Sequence, residues 1–141
     1  LHQLITTTAS SYDVPPEKII SVQAARSEVP ALLSFSNYYL FFIKPCYSKL
    51  SSSPTKHGEI MAMGIPVITN SGVGDVKEIV QQYKAGFVLE DFSPTSFDKV
   101  TEQLKTAIFD RAQIQKGAQE FYALEKAVEK YIFVYNEILF K

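Results

Sequence analysis

The 141-residue chain has no tryptophan, two methionines, two histidines and a single cysteine, Cys46. One thiol excludes an intrachain disulfide and the multi-cysteine metal clusters. The scarcity of cysteine fits a reducing compartment. The chain reads as cytoplasmic, with the inner face of a membrane as the alternative location. No apolar run approaches the ~18–20 residues that cross a bilayer, and no signal peptide is evident. An excess of one charge is missing too: 14 Lys and Arg stand against 15 Asp and Glu, for a net charge of −1. The basic residues are scattered, which excludes the footprint of a nucleic-acid binder. Neither G-x-G-x-x-G nor a P-loop occurs. His2 and His57 lack metal-ligand spacing with each other or with Cys46, so no metal and no cofactor is expected. His57 reads as a solvated residue and Cys46 as a space-filler behind a strand.

Apolar residues make up 46% of the chain and charged residues 21%, enough to build a core. The length fits one domain over residues 1–141. Four short apolar segments read as strands: 18–24, 37–45, 65–70 and 86–91. The segment 37–45, "NYYLFFIKP", is apolar nearly throughout, as a strand covered on both faces is. Helical patterns fall at about 1–12, 28–36, 54–63, 75–84, 94–109 and 111–139. Strand–helix alternation predicts an α/β fold, a Rossmann-like parallel sheet with flanking helices. In the last segment Ile114, Phe121, Val128 and Tyr135 recur every seven residues, interleaved with Leu124, Tyr131 and Ile138. This stripe predicts one long helix, or two with a break near Gly117. It packs on its own sheet or, in part, bridges to another domain.

Two polar stretches interrupt the apolar pattern. In "SSSPTKHGE" (51–59), Ser53 is a good helix N-cap and Pro54 suits the first helical position. Thr55, Lys56 and Glu59 then share one face. A helix start after a parallel strand offers free amides and a positive dipole end to an anion, and Lys56 adds a full charge. Open parallel sheets bind ligands at the carboxyl ends of their strands. A phosphate suits this helix start, and Glu59, a turn deeper, suits sugar hydroxyls. The alternative is a surface ion pair between Lys56 and Glu59, worth well under ~1 kcal/mol.

In "NSGVGD" (70–75), Gly72 and Gly74 let the backbone bend close to a ligand. Asp75 with Glu78 resembles a capping box. Because Asp75 opposes an anion, Asn70, Ser71 and Gly72 suit sugar hydroxyls. The alternative is a tight strand-to-helix turn that carries its own cap.

"SPTKHGEIMAMGIPVITNSGVGDVKEIVQQYKAGFVL" (53–89) resembles the C-terminal, donor-binding domain of GT-B-type retaining glycosyltransferases, the group 1 or family 4-like enzymes. That family carries a glutamate, seven spacer residues, a second glutamate and a Gly-x-Pro-Val turn. Glu59 matches the second glutamate, and Gly64-Ile65-Pro66-Val67 matches the turn. The resemblance is strong over 53–89 and looser over 18–45 and the C-terminal helix. It implies that Glu59 binds the ribose of a nucleotide-diphosphate sugar, and that Thr55 and Lys56 hold the diphosphate at the helix start. The family's first glutamate, which contacts the transferred sugar, falls at Ser51. Sugar contacts then shift to Ser51, Ser52, Ser53 and the 70–74 turn.

The implied function is donor binding in a hexosyltransferase of polysaccharide biosynthesis, with transfer to an acceptor hydroxyl, retention of configuration and no metal. Alternatives are a non-catalytic nucleotide-binding or interaction module and a nucleotide-sugar epimerase. The chain begins at Leu1 and reads as the C-terminal half of a GT-B fold, truncated at its N-terminus. The acceptor domain and two strands would lie upstream, so the fragment alone is expected to be inactive. A sheet missing strands has an unpaired edge, which invites self-association. Light scattering at high concentration is expected to detect species larger than a monomer; monomer alone contradicts this.

Overall fold

A computed structural model describes residues 2–140. The chain forms two compact units, residues 1–33 and 34–141.

The first unit contains helix α1 (His2–Ser10), a 3-10 turn at Pro16–Lys18 and most of helix α2 (Val29–Ser34). The expected strand over 18–24 does not form. Ile20 and Val22 are exposed, and no ladder pairs this segment. β-branched residues favour a strand only where a neighbouring strand and a packed face receive them.

The second unit holds a parallel sheet in the order β1-β2-β3, built from β1 (Tyr39–Leu40), β2 (Val67–Asn70) and β3 (Gly86–Leu89). Three strands are therefore present among the described residues, where the sequence suggests four. Tyr39 pairs in register with Val67, and Val67 in turn with Gly86. Central strand β2 is buried at all four positions, as a parallel strand with two covered faces must be. β1 is shorter than its apolar run and is not covered on both faces: Leu40 is 59% exposed and Phe42 41%. As an edge strand it has a neighbour on one side only.

Helices α3 (Thr55–Ala62), α4 (Val76–Gln82) and α6 (Arg111–Tyr122) meet on one face of the sheet. There Met61, Ile79, Tyr83, Ala85, Ile114 and Ala118 form the main core. On the other face Ile68 and Leu89 pack with Val100 of α5 (Pro94–Leu104), a helix that stops short of the 109 expected. Ser93 caps α5 by accepting from Ser96 N–H, and Asp110 caps α6 by accepting from Ala112 and Gln113 N–H.

The C-terminal stripe divides at Ala123, whose extended backbone separates α6 from α7 (Leu124–Leu139), and not at Gly117. Gly117 is buried inside α6, where a Cβ would run into the Tyr83 ring. Its small size serves a close approach between α6 and the residue that ends α4. The stripe does not pack on its own sheet beyond α6. α7 buries no residue, and Tyr131, Tyr135 and Ile138 are all at least 60% exposed. Among the described residues no helix is long and apolar enough to cross a membrane.

Gly117→Ala sets two effects against each other. Overpacking costs roughly 1–3 kcal/mol, while removing glycine from a helix returns about 1 kcal/mol. The expected net loss is about 1 kcal/mol, read as a lower urea midpoint; a variant as stable as the parent contradicts the close packing.

Candidate functional site

The carboxyl ends of β1 and β2 carry both polar stretches. α3 begins one residue later than its sequence predicts. Pro54 occupies the N-cap position, no side chain caps the helix, and Ser53 is not the cap. Lys56 is thus the second helical residue instead of the third. Helix ends shift by a residue easily, because the first amides have no intrahelical acceptors.

Tyr122, at the end of α6, reaches α3 with its hydroxyl 2.9 Å from Nδ1 of His57. His57 is not solvated. It is fully buried in the first turn of α3, against the rings of Phe41 and Tyr122. Helical periodicity places it opposite the solvent-facing Lys56 and Glu59, so a histidine in a polar run becomes a core residue. Burial pulls its pKa from 6.5 to about 4, against the opposing influence of the Asp75 charge. Burial also pushes the Tyr122 phenol up to about 12. Both groups are therefore neutral near pH 7. The other ring nitrogen, Nε2, is buried without a hydrogen-bond partner.

The turn after β2 is stitched onto the serine loop. Gly74 N–H donates to Lys49 O at 2.9 Å. Gly74 has φ +44°, and a Cβ there would collide with Ser52 O. This brings Asp75 beside Ser51–Ser53. The expected capping box does not form: Asp75 sits at the N-cap of α4 but makes no capping hydrogen bond. Its Oδ1 is buried and unpartnered, as is Thr69 Oγ1.

Two cavities flank the start of α3. One, of about 400 Å³, lies between Leu50–Ser53 and the Gly74, Asp75 and Glu78 wall. The other, of about 610 Å³, runs between α3 and α6, with Thr55, Glu59, Gln115, Gln119 and Tyr122 among its lining. The named residues thus divide into Ser51, Ser52 and Ser53 in the first cavity and Thr55 and Glu59 in the second. Pro54 and the exposed Lys56 lie at the helix start and line neither.

Asn70 is fully buried and committed to the backbone. Its Oδ1 accepts from Ile43 N–H at 2.8 Å, and Nδ2 donates to Ile43 O at 2.9 Å and to Ser71 O at 2.8 Å. The side chain thereby extends the β1–β2 ladder past the end of β1. Ser71 donates to Glu90 O at 2.9 Å, and Gly72 packs beneath Pro45. Cys46 does not fill space behind the strand: it is exposed in the loop after β1, 3.3 Å from Ser48 Oγ.

Sequence reasoning missed His57, Tyr122 and Asp75 as a unit. The tyrosine that receives the histidine lies 65 residues away in sequence.

The family model described as glycosyl transferases group 1 matches residues 10–121. No curated protein and no solved structure matches the chain.

The buried histidine makes stability depend on pH. An unfolded histidine binds its proton near pH 6.5, so stability is full above that value and falls as the pH drops toward 4. Between about pH 7.5 and about pH 5 the loss from this group is about 2 kcal/mol. Urea midpoints at the two values are expected to show it, and His57→Gln is expected to flatten the dependence; an equally steep variant contradicts the assignment.

Proposed function

The chain belongs to the group 1 glycosyl transferases, and we propose that it is the donor-binding part of a transferase. In this reading it holds a nucleotide-diphosphate sugar while the sugar passes, with retention of configuration, to an acceptor hydroxyl. The observation that carries the reading is the start of α3. Thr55 and Lys56 occupy the first two helical positions at the carboxyl edge of the sheet, and no side chain competes for the helix amides. α5 and α6, by contrast, are closed by Ser93 and Asp110. Uncapped amides, the positive end of the helix dipole and the Lys56 ammonium together favour a diphosphate.

Glu59 lies about one turn further along, on the wall that Thr55 shares. A carboxylate there accepts two hydroxyl donors, as the 2′- and 3′-hydroxyls of a ribose require. The transferred sugar takes the serine-lined cavity on the other side of the helix start. Asn70 supports that cavity indirectly, by fixing the strand ends, while Ser71 and Gly72 contribute the turn. The protein's part in transfer is positioning and charge stabilisation, without a metal and with the leaving phosphate assisting the acceptor hydroxyl. An acceptor domain supplied by the rest of the protein completes the enzyme, and α7 with its exposed apolar residues suits contact with such a domain. The reading includes a place in polysaccharide biosynthesis on the cytoplasmic side.

One observation favours a non-catalytic nucleotide-binding module instead. Ser51 stands where a carboxylate facing the sugar is expected.

Calorimetry with nucleoside, nucleoside diphosphate and 2′,3′-dideoxynucleoside diphosphate separates the assigned roles. Lys56→Ala is expected to weaken the diphosphate but not the nucleoside. Glu59→Gln is expected to weaken both, and to change the already weak dideoxy ligand little. Each lost charge-assisted hydrogen bond costs roughly 1.5–3 kcal/mol, about ten- to a hundredfold in affinity. If both variants bind all three ligands like the parent, the start of α3 is a helix start and nothing more.

A further inference from the structure

The larger cavity is a groove between two helical faces of the same period. α3 contributes positions 55, 58, 59 and 62, and α6 contributes 115, 118, 119 and 122. Steps of three and four residues place each set on one side of its helix. The two helices run antiparallel, since Gly58 meets the Tyr122 ring while Gly64, beyond the far end of α3, meets Gln115. The groove therefore has two ends. Thr55 and Tyr122 stand at the start of α3. Ala62 and Gln115 stand at the far end, about 10 Å away by the rise of the helix. Glu59 lies between the ends on α3, and Gln119 between them on α6. The floor holds nothing larger than a methyl group, because it is made by Gly58, Ala62 and Ala118. Its polar groups are few: a hydroxyl, a carboxylate and two primary amides.

We propose that this groove receives the nucleoside of the donor, with the base on the small-residue floor at the far end and Gln115 reading its edge. The proposal rests on the donor-site reading of α3 given above. A nucleotide-diphosphate sugar carries its sugar and its nucleoside on opposite sides of the diphosphate. The start of α3 likewise has one cavity on each side. With the diphosphate at the helix start and the ribose at Glu59, the base continues toward Ala62 and Gln115. The volume, about 610 Å³, lies within the ~300–1,000 Å³ of small-molecule sites, which combine an apolar surface with a few polar groups. A base has a flat face for such a floor and an edge of donors and acceptors. A primary amide presents a donor beside an acceptor and bonds such an edge at two points. Bases differ in size and in the order of donors and acceptors along that edge, so the residue opposite it sets the preference. The Tyr122 hydroxyl is committed to His57, which leaves its ring as the end wall.

The test is calorimetry on the whole chain with ADP, GDP, UDP, CDP and dTDP, and with inorganic pyrophosphate, which has no base. The best nucleoside diphosphate is expected to bind about tenfold tighter, or more, than pyrophosphate, and about tenfold tighter than the worst of the five. Gln115→Ala is expected to narrow the spread among the five to about threefold or less. Ala62→Leu fills the floor and is expected to weaken the preferred nucleoside diphosphate about tenfold. Both variants are expected to bind pyrophosphate within about twofold of the parent, because neither position faces the helix start. Residues 62 and 115 are exposed, so neither change disturbs the core, and each tests the groove by itself. Nucleoside diphosphates that bind no tighter than pyrophosphate overturn the proposal. So does a Gln115→Ala variant that keeps the full spread, an Ala62→Leu variant that binds the nucleotide like the parent, or either variant weakening pyrophosphate and nucleotide alike. If neither pyrophosphate nor any nucleoside diphosphate binds, the donor-site reading itself falls. Pyrophosphate binding without a preference among bases removes only the role of the groove.

Discussion

The hydrogen bond between Tyr122 and His57 joins the last residue of α6 to the first turn of α3. It determines more than its own strength suggests. His57 is withdrawn from water, so losing the tyrosine hydroxyl leaves Nδ1 buried and unsatisfied, which costs more than the bond contributes when made. The contact also needs the two helices close together. Gly58 permits this, since a Cβ there would stand 2.7 Å from the Tyr122 ring. One aromatic side chain thus ties the first turn of α3 to the end of α6.

A second constraint acts at the sheet edge. β1 has only two ladder residues, too few to hold the following loop by backbone pairing alone. Asn70 compensates with a side-chain amide that presents a carbonyl and an N–H to Ile43, as a further strand residue would. The loop from 44 to 53 therefore leaves the sheet from a defined point. The Gly74 contact closes the other side of that loop against the turn after β2. Cavity walls made from loops acquire their geometry from two such pins, Asn70 and Gly74.

Much of the fold was legible, and for a local reason. The buried runs around β2 and β3 and the helices between them follow period and composition, which a window of ten to twenty residues contains. The failures have a common cause. Residues 18–24 have the composition of a strand but no ladder partner, and the 37–45 run has one neighbour where two covered faces were expected. Gly117 reads as a break until the Tyr83 ring is placed against it. The true break at Ala123 carries neither glycine nor proline to announce it. Whether a face is covered depends on chain distant in sequence, which local pattern does not contain.

The candidate site divides along the same line. The sequence by itself determined that a helix starts near Pro54 after a parallel strand, that Lys56 and Glu59 share its exposed face, and that glycines at 72 and 74 bend the chain beside it. These follow from backbone geometry and helical period. Tertiary structure decided that Ser51–Ser53 and Glu59 line different cavities, that His57 turns inward to Tyr122, and that Asp75 faces the serines instead of capping its helix. The physical reason is desolvation. A polar side chain's role depends on which of its hydrogen-bond partners the fold removes from water, and those partners arrive from α4 and α6, up to 65 residues away.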